Sequence, residues 1–181
     1  MSKEFVYNEM MAHVPVCSHK APKSLLLISN APEGIQNELA RHKGLEITVG
    51  GLDSIANGAD SAYDIVLIDS SAEISRATYA HLNRIVKEDG LISSLNASLD
   101  DESASKEQLN AIGEYFKVVM PYKAEGKTMI LASKEYHPTA DVILHRTDLI
   151  DGLSYYNCDI HVSSFAMPNY IRSTYRGIIK N

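Results

Sequence analysis

The sequence predicts an α/β fold, a mostly parallel sheet with helices on both faces and an antiparallel strand at one end. Three observations carry this. Apolar runs of strand length, "LLLIS", "LEITV" and "YDIVLID", alternate with helix-period segments through the first half of the chain, the pattern of βαβ units. The first and third runs are continuously apolar, as in parallel strands covered on both faces. Two later runs, "FKVVMPY" and "KTMILASK", flank a short connection containing Gly126 and read as an antiparallel pair.

Taken in order, "EFVYNEMMAHVPV" carries apolar residues at helical spacing and is expected to be a short helix ending near Pro15. "HKAPKS" is a loop before the first strand. Pro32 suits the first turn of a helix "EGIQNELARHK" that stops near Gly44. Gly50 and Gly51 break the second strand. Asp64 and Asp69 bracket the third. A helix "SRATYAHLNRIVKE" closes at Asp89 and Gly90, a fourth strand "LISSLN" follows, and "DDESASKEQLNAIGEY" reads as a polar loop and then a helix. From His137 an appendage carries "YYNCDIH" and a helix around "FAMPNYIRSTYRG". A reversed pair closing a parallel sheet is the pattern of S-adenosylmethionine-dependent methyltransferases, a Rossmann-like fold.

The 181 residues are 45% hydrophobic and 22% charged, an ordinary globular composition long enough for a core without disulfides. The net charge of −6 argues against a general nucleic-acid binder. No apolar run reaches the ~20 residues of a membrane span, no signal peptide is seen, and Cys17 and Cys158 are far apart. A reducing, cytoplasmic setting is expected. His13, Cys17 and His19 lack a fourth ligand, so no metal is expected.

Ligands of open α/β sheets bind at the carboxyl ends of the strands. In "IDSSA", Asp69 stands at the tip of a buried strand, followed by two hydroxyl residues. A carboxylate there can hold an ammonium or take a proton. Asp at such a position also caps helices.

"EFVYNEMMAHVPV", "YDIVLIDSSA", "KEDGLISSLNAS" and "YYNCDIHVSSFAMPNYIR" resemble, in order and spacing, the landmarks of spermidine synthases, the polyamine aminopropyltransferases. The last is the most specific. The resemblance implies aminopropyl transfer from decarboxylated S-adenosylmethionine, the co-substrate, to putrescine or another small amine, within polyamine biosynthesis. It implies Asp69 as the catalytic acid and Tyr7, Glu9 and Tyr122 as amine-side residues. Asn30, Gly34, Asp53 and Ser70 become candidates for donor contacts. Family members carry a small β domain ahead of the tyrosine helix that helps subunits pair. This sequence starts at that helix and is read as one catalytic-type domain over residues 1–181, and a homo-oligomer is expected.

Five departures bear on activity. The family's glycine-rich first loop resembles "GGGDGG", and here it is "SNAPEG", where Ala31 adds a Cβ and Pro32 removes an N–H. The second strand ends "TVGG" in place of the ribose acid, and Asp53 replaces it only if the loop bends back. Ala72 stands where an Asp-x-x-Asp turn has its second acid, and Asn8 where the family has His. In "MPYKAEGK" the tyrosine lies one position earlier than in the family's Pro-Thr-Tyr-Pro-x-Gly. Three functions are therefore weighed: an aminopropyltransferase, a non-catalytic descendant that binds a ligand or partner, and a methyltransferase with another acceptor. The C-terminal motif and the missing glycines count against the third.

Overall fold

Six apolar segments pair into one sheet of order β2-β1-β3-β4-β6-β5. The strands are β1 Ser24–Ser29, β2 Glu46–Gly50, β3 Tyr63–Asp69, β4 Val86–Asn96, β5 Val118–Ala124 and β6 Lys127–Ser133. The computed structural model describes residues 3–72 and 74–181. β1 to β4 are parallel and β6 runs antiparallel to both β4 and β5, so the expected sheet is present with one reversed strand next to its edge. The chain leaves β1 to one side for β2 and to the other for β3, which puts the topological switch point between β1 and β3.

Helices cover both faces. On one lie α1 Glu4–Ser18, α2 Glu33–Leu39, α6 Leu144–Asp148 and α7 Cys158–Ser163. Met10, Met11, Leu25, Leu67, Tyr122 and Phe165 share the apolar cluster on that side. On the other lie α3 Asp53–Asn57, α4 Arg76–Ile85, α5 Glu102–Gly113 and α8 Asn169–Thr174, with Leu26, Ile68, Tyr79, Leu82 and Tyr175 in the second cluster. Alternate residues of β1 and β3 point into opposite clusters, which is why these strands are apolar throughout. The β5–β6 turn has positive φ at both Glu125 (42°) and Gly126 (78°), the two-residue arrangement whose twist matches an antiparallel pair.

Several boundaries differ from the sequence expectation. α1 continues past Pro15 to Ser18. Residues from Val6 on are almost all buried, so packing on every side outweighs one lost helical hydrogen bond. Arg146 then caps the exit by donating to the carbonyls of Val16, His19 and Lys20. α2 stops at Leu39, and a turn carries the chain on to Gly44. α3 was not expected. Asp89 and Gly90 do not end a helix. α4 ends at Ile85, because Val86 turns extended and pairs with Tyr63. A register shift between Tyr63 and Ile65 absorbs the extra residues. "YYNCDIH" contains α7, capped by Asn157, whose Oδ1 accepts the Ile160 N–H at 2.8 Å. Cys17 and Cys158 are free thiols. Among the described residues no helix is long and apolar enough to cross a membrane.

At the entry of the sheet, Asp64 ties β1 to β3. Its carboxylate accepts from the backbone N–H groups of Lys23 and Ser24 at 2.9 Å, from Ser24 Oγ at 3.0 Å and from Lys87 Nζ at 3.0 Å. Burial alone would raise its pKa, but these donors prevail and hold it down at about 2. A carboxylate depressed in the folded state stabilises fully above its unfolded value, near 3.8, and loses that contribution as pH falls toward about 2. Replacing Asp64 by Asn is expected to cost about 2 kcal/mol in urea unfolding at pH 7. It should also flatten the loss of stability between pH 4 and 2.

Candidate functional site

At the switch point, β1 and β3 end together with Ser29 opposite Asp69. The Ser29 hydroxyl donates to Asp69 Oδ2 at 2.7 Å, and the Tyr7 phenol of α1 donates to Oδ1 at 2.6 Å. Each carboxylate oxygen thus accepts one hydroxyl and keeps a further lone pair. Asp69 is half-buried at the edge of the cleft. Tyr7 is only 8% exposed. Burial first, and its bond to Asp69 second, push its pKa well above the ordinary tyrosine range, so the phenol stays a donor. The ammonium of Lys127, the first residue of β6, sits 3.8 Å from the centroid of the Tyr7 ring.

A cavity of about 710 Å³ opens beside this group. Ser70, Ser71 and Ala72 form its β3 rim, Asn96 its β4 wall, Glu107 its α5 wall and Lys127 its hairpin side. Asn96 Nδ2 donates to Ala97 O and Ser105 Oγ, and its Oδ1 is buried without a partner among the described residues. The site therefore presents a carboxylate, an aromatic face and unused acceptors, the set that binds alkylammonium groups.

Of the expected site residues, Tyr7 and Asp69 come together, and Ser70 lines the cavity, its hydroxyl accepting the Ala72 N–H at 3.1 Å. Others are engaged elsewhere. Glu9 is buried, and its two oxygens accept the backbone N–H groups of Ser154, Tyr155 and Tyr156 at 2.7–2.8 Å. Tyr122 is wholly buried, and its hydroxyl shares a 2.7 Å hydrogen bond with Ser93. Gly34 lies in the first turn of α2 with its bare Cα against the Asn8 amide of α1, which fills the space of a Cβ. Asn30 is exposed. Asp53 is exposed in the first turn of α3, its carboxylate folded back over Gly51. Sequence reasoning left out Ser29 and Lys127. Ser29 is signalled by its place at a strand tip, and Lys127 only by its position after a turn glycine.

His19, Asp64 and Asp89 bring potential ligand atoms within 4.8 Å of one another. His19 Nδ1 accepts the Ala21 N–H at 3.2 Å, which leaves the ring proton of the neutral imidazole on Nε2, and Lys87 already occupies Asp64.

The chain is similar to known proteins in sequence and in fold. A polyamine aminopropyltransferase of Clostridium beijerinckii is 24% identical over 97% of this chain and 79% of its own length. Polyamine aminopropyltransferase 1 of Bacillus cereus is 25% identical over 93% and 78%. A crystal structure of spermidine synthase in complex with the transition-state analogue AdoDATO superposes with a TM-score of 0.84 at 24% identity, covering 94% of this chain and 75% of that one. The chain is similar to polyamine aminopropyltransferases in sequence and to spermidine synthases in fold. Spermidine synthase from Thermotoga maritima superposes with a TM-score of 0.83 at 24% identity, over 94% and 74% of the two chains. The sheet is therefore the methyltransferase-like Rossmann fold of spermidine synthases. No family model matches the chain.

Within that fold, the C-terminal motif is a lock. Tyr156 donates its N–H to Glu9 and its hydroxyl to His161 Nδ1 at 2.7 Å, and His161 Nε2 donates to the Pro138 carbonyl at 2.8 Å. Burial pulls the His161 pKa down to about 4, which keeps the ring neutral and in this tautomer. Glu9→Gln removes the charge and turns an amide N–H toward backbone donors. It should lower stability by about 3 kcal/mol and raise hydrogen exchange at residues 154–156, whereas Glu4→Gln on the exposed first turn of α1 should change neither.

Proposed function

We propose that the Tyr7–Asp69 cleft binds a short diamine of the putrescine type, as the acceptor side of an aminopropyltransferase does. Aminopropyl transfer from decarboxylated S-adenosylmethionine is, in this reading, the ancestral chemistry of the site and not one it still performs. The observation that carries the amine reading is Lys127. Its ammonium is chemically the end of an alkyldiamine, and it rests on the Tyr7 ring beside the Asp69 carboxylate. An incoming ammonium can take the same face and the free lone pairs of Asp69. Glu107, on the wall of the adjoining cavity, is an acceptor for a second nitrogen.

An amine that attacks a donor must first lose a proton, since alkylamines are charged at neutral pH. Asp69 is placed to take it, while Ser29 and Tyr7 hold the carboxylate. The donor side supports no comparable reading. Ala31 and Pro32 stand where close approach to a nucleoside needs bare Cα atoms and N–H donors. The Gly34 Cα is covered by Asn8. One observation favours retained transfer: a cavity of about 710 Å³ is within the range that encloses a nucleoside-sized ligand.

Calorimetry and turnover separate the two. Putrescine is expected to bind. Asp69→Asn should weaken it about 30-fold or more, and Lys127→Gln should tighten it about two- to fivefold by vacating the ring. Glu107→Gln should weaken putrescine while leaving butylamine unchanged. A mixture of putrescine and decarboxylated S-adenosylmethionine should release no methylthioadenosine. Release of methylthioadenosine would establish the transferase, and putrescine binding indifferent to Asp69→Asn would remove the amine site.

A further inference from the structure

A second hollow, of about 530 Å³, lies at the opposite end of the sheet, where β1 and β2 begin. The end of α1, the α2–β2 turn and α6 enclose it. Five cationic side chains line it, Lys20, Lys23, Arg41, Lys43 and Arg146, and among the described residues no carboxylate does. The chain as a whole has 23 acidic and 17 basic residues, so this concentration departs from the background charge.

The two arginines are partly spent on the protein. Arg146 donates to carbonyls at the end of α1, and its buried Nε has no partner among the described residues. Arg41 holds Glu38 and the Asp151 carbonyl. Lys20, Lys23 and Lys43 are exposed and form no ion pair among the described residues. Gathering like charges in one concavity costs free energy that a bound anion returns. Leu45, Leu149 and Ile150 supply an apolar side to the same hollow, and Leu149 is 74% exposed.

We propose that this hollow is a binding site for a small diphosphate-bearing molecule, independent of the amine cleft. Three ammonium groups suit a compact ligand with several anionic oxygens, for which arginine and lysine are the usual partners. The small volume and the acidic remainder of the surface disfavour a nucleic acid, which needs an extended basic track. The apolar side offers a place for an organic group carried by the diphosphate.

Titration calorimetry with inorganic pyrophosphate and with ADP, at constant ionic strength set by NaCl, tests this. Saturable one-to-one binding of pyrophosphate is expected. Equal affinity for ADP would mean that the diphosphate alone is recognised, and tighter ADP binding that the apolar side contributes. The double variant Lys20→Gln/Lys43→Gln, both exposed positions, should weaken binding at least tenfold. Lys106→Gln/Lys117→Gln, lysines that pair with Glu102 and Glu135 elsewhere on the surface, should leave it unchanged. Absence of saturable binding by either probe, or binding unaffected by the first double variant, would overturn the proposal.

Discussion

The carboxylate of Asp69 is the point on which the functional end of the molecule turns. It is reached from two sides, by a hydroxyl at the tip of β1 and by a phenol from α1. These bonds fix the helix, the switch point of the sheet and the acid in one geometry. A carboxylate at the water's edge would otherwise rotate freely. Here each oxygen has one fixed donor and one open direction. The ring that orients the acid also carries the Lys127 ammonium on its face, so one tyrosine links the acid to a cation.

The second acid of α1 has the opposite fate. Glu9 is two residues from Tyr7, but it is turned into the protein and saturated by three consecutive N–H groups. A buried carboxylate is tolerated only with such partners. Its presence explains how a segment some 145 residues later is held against the first helix. With His161 and Tyr156 it forms a polar seam closed on every side by backbone and side-chain bonds. That seam shows what the C-terminal string does in the fold: its polar residues bond to one another and to the backbone.

What the sequence showed follows from how local each feature is. β3 matches its predicted span residue for residue, because the apolar run is bounded by an Asp at each end of the segment. The β5–β6 hairpin was legible through Gly126, whose positive φ a two-residue turn requires. The α4–β4 boundary was not legible, because Val86 turns extended only on account of its pairing with Tyr63. The site divides in the same way. Asp69 was visible as an acid at a strand tip. Its partnership with Ser29, the resting place of the Lys127 ammonium and the Asn8 amide over Gly34 arise from contacts between segments far apart in sequence, which no local pattern encodes. Glu9 and Tyr122 were expected as pocket residues through the resemblance, and their burial and hydrogen-bond partners were not visible in the sequence.

The central claim is that the cleft keeps an amine site beside a loop that no longer seats a nucleoside. A crystal structure of the protein soaked with putrescine and methylthioadenosine together tests it most directly. The account predicts a diamine nitrogen hydrogen-bonded to Asp69 and lying on the Tyr7 ring, Lys127 moved aside, and no nucleoside against residues 30–33. A methylthioadenosine molecule packed on that loop, with its sulfur turned toward Asp69, would contradict it.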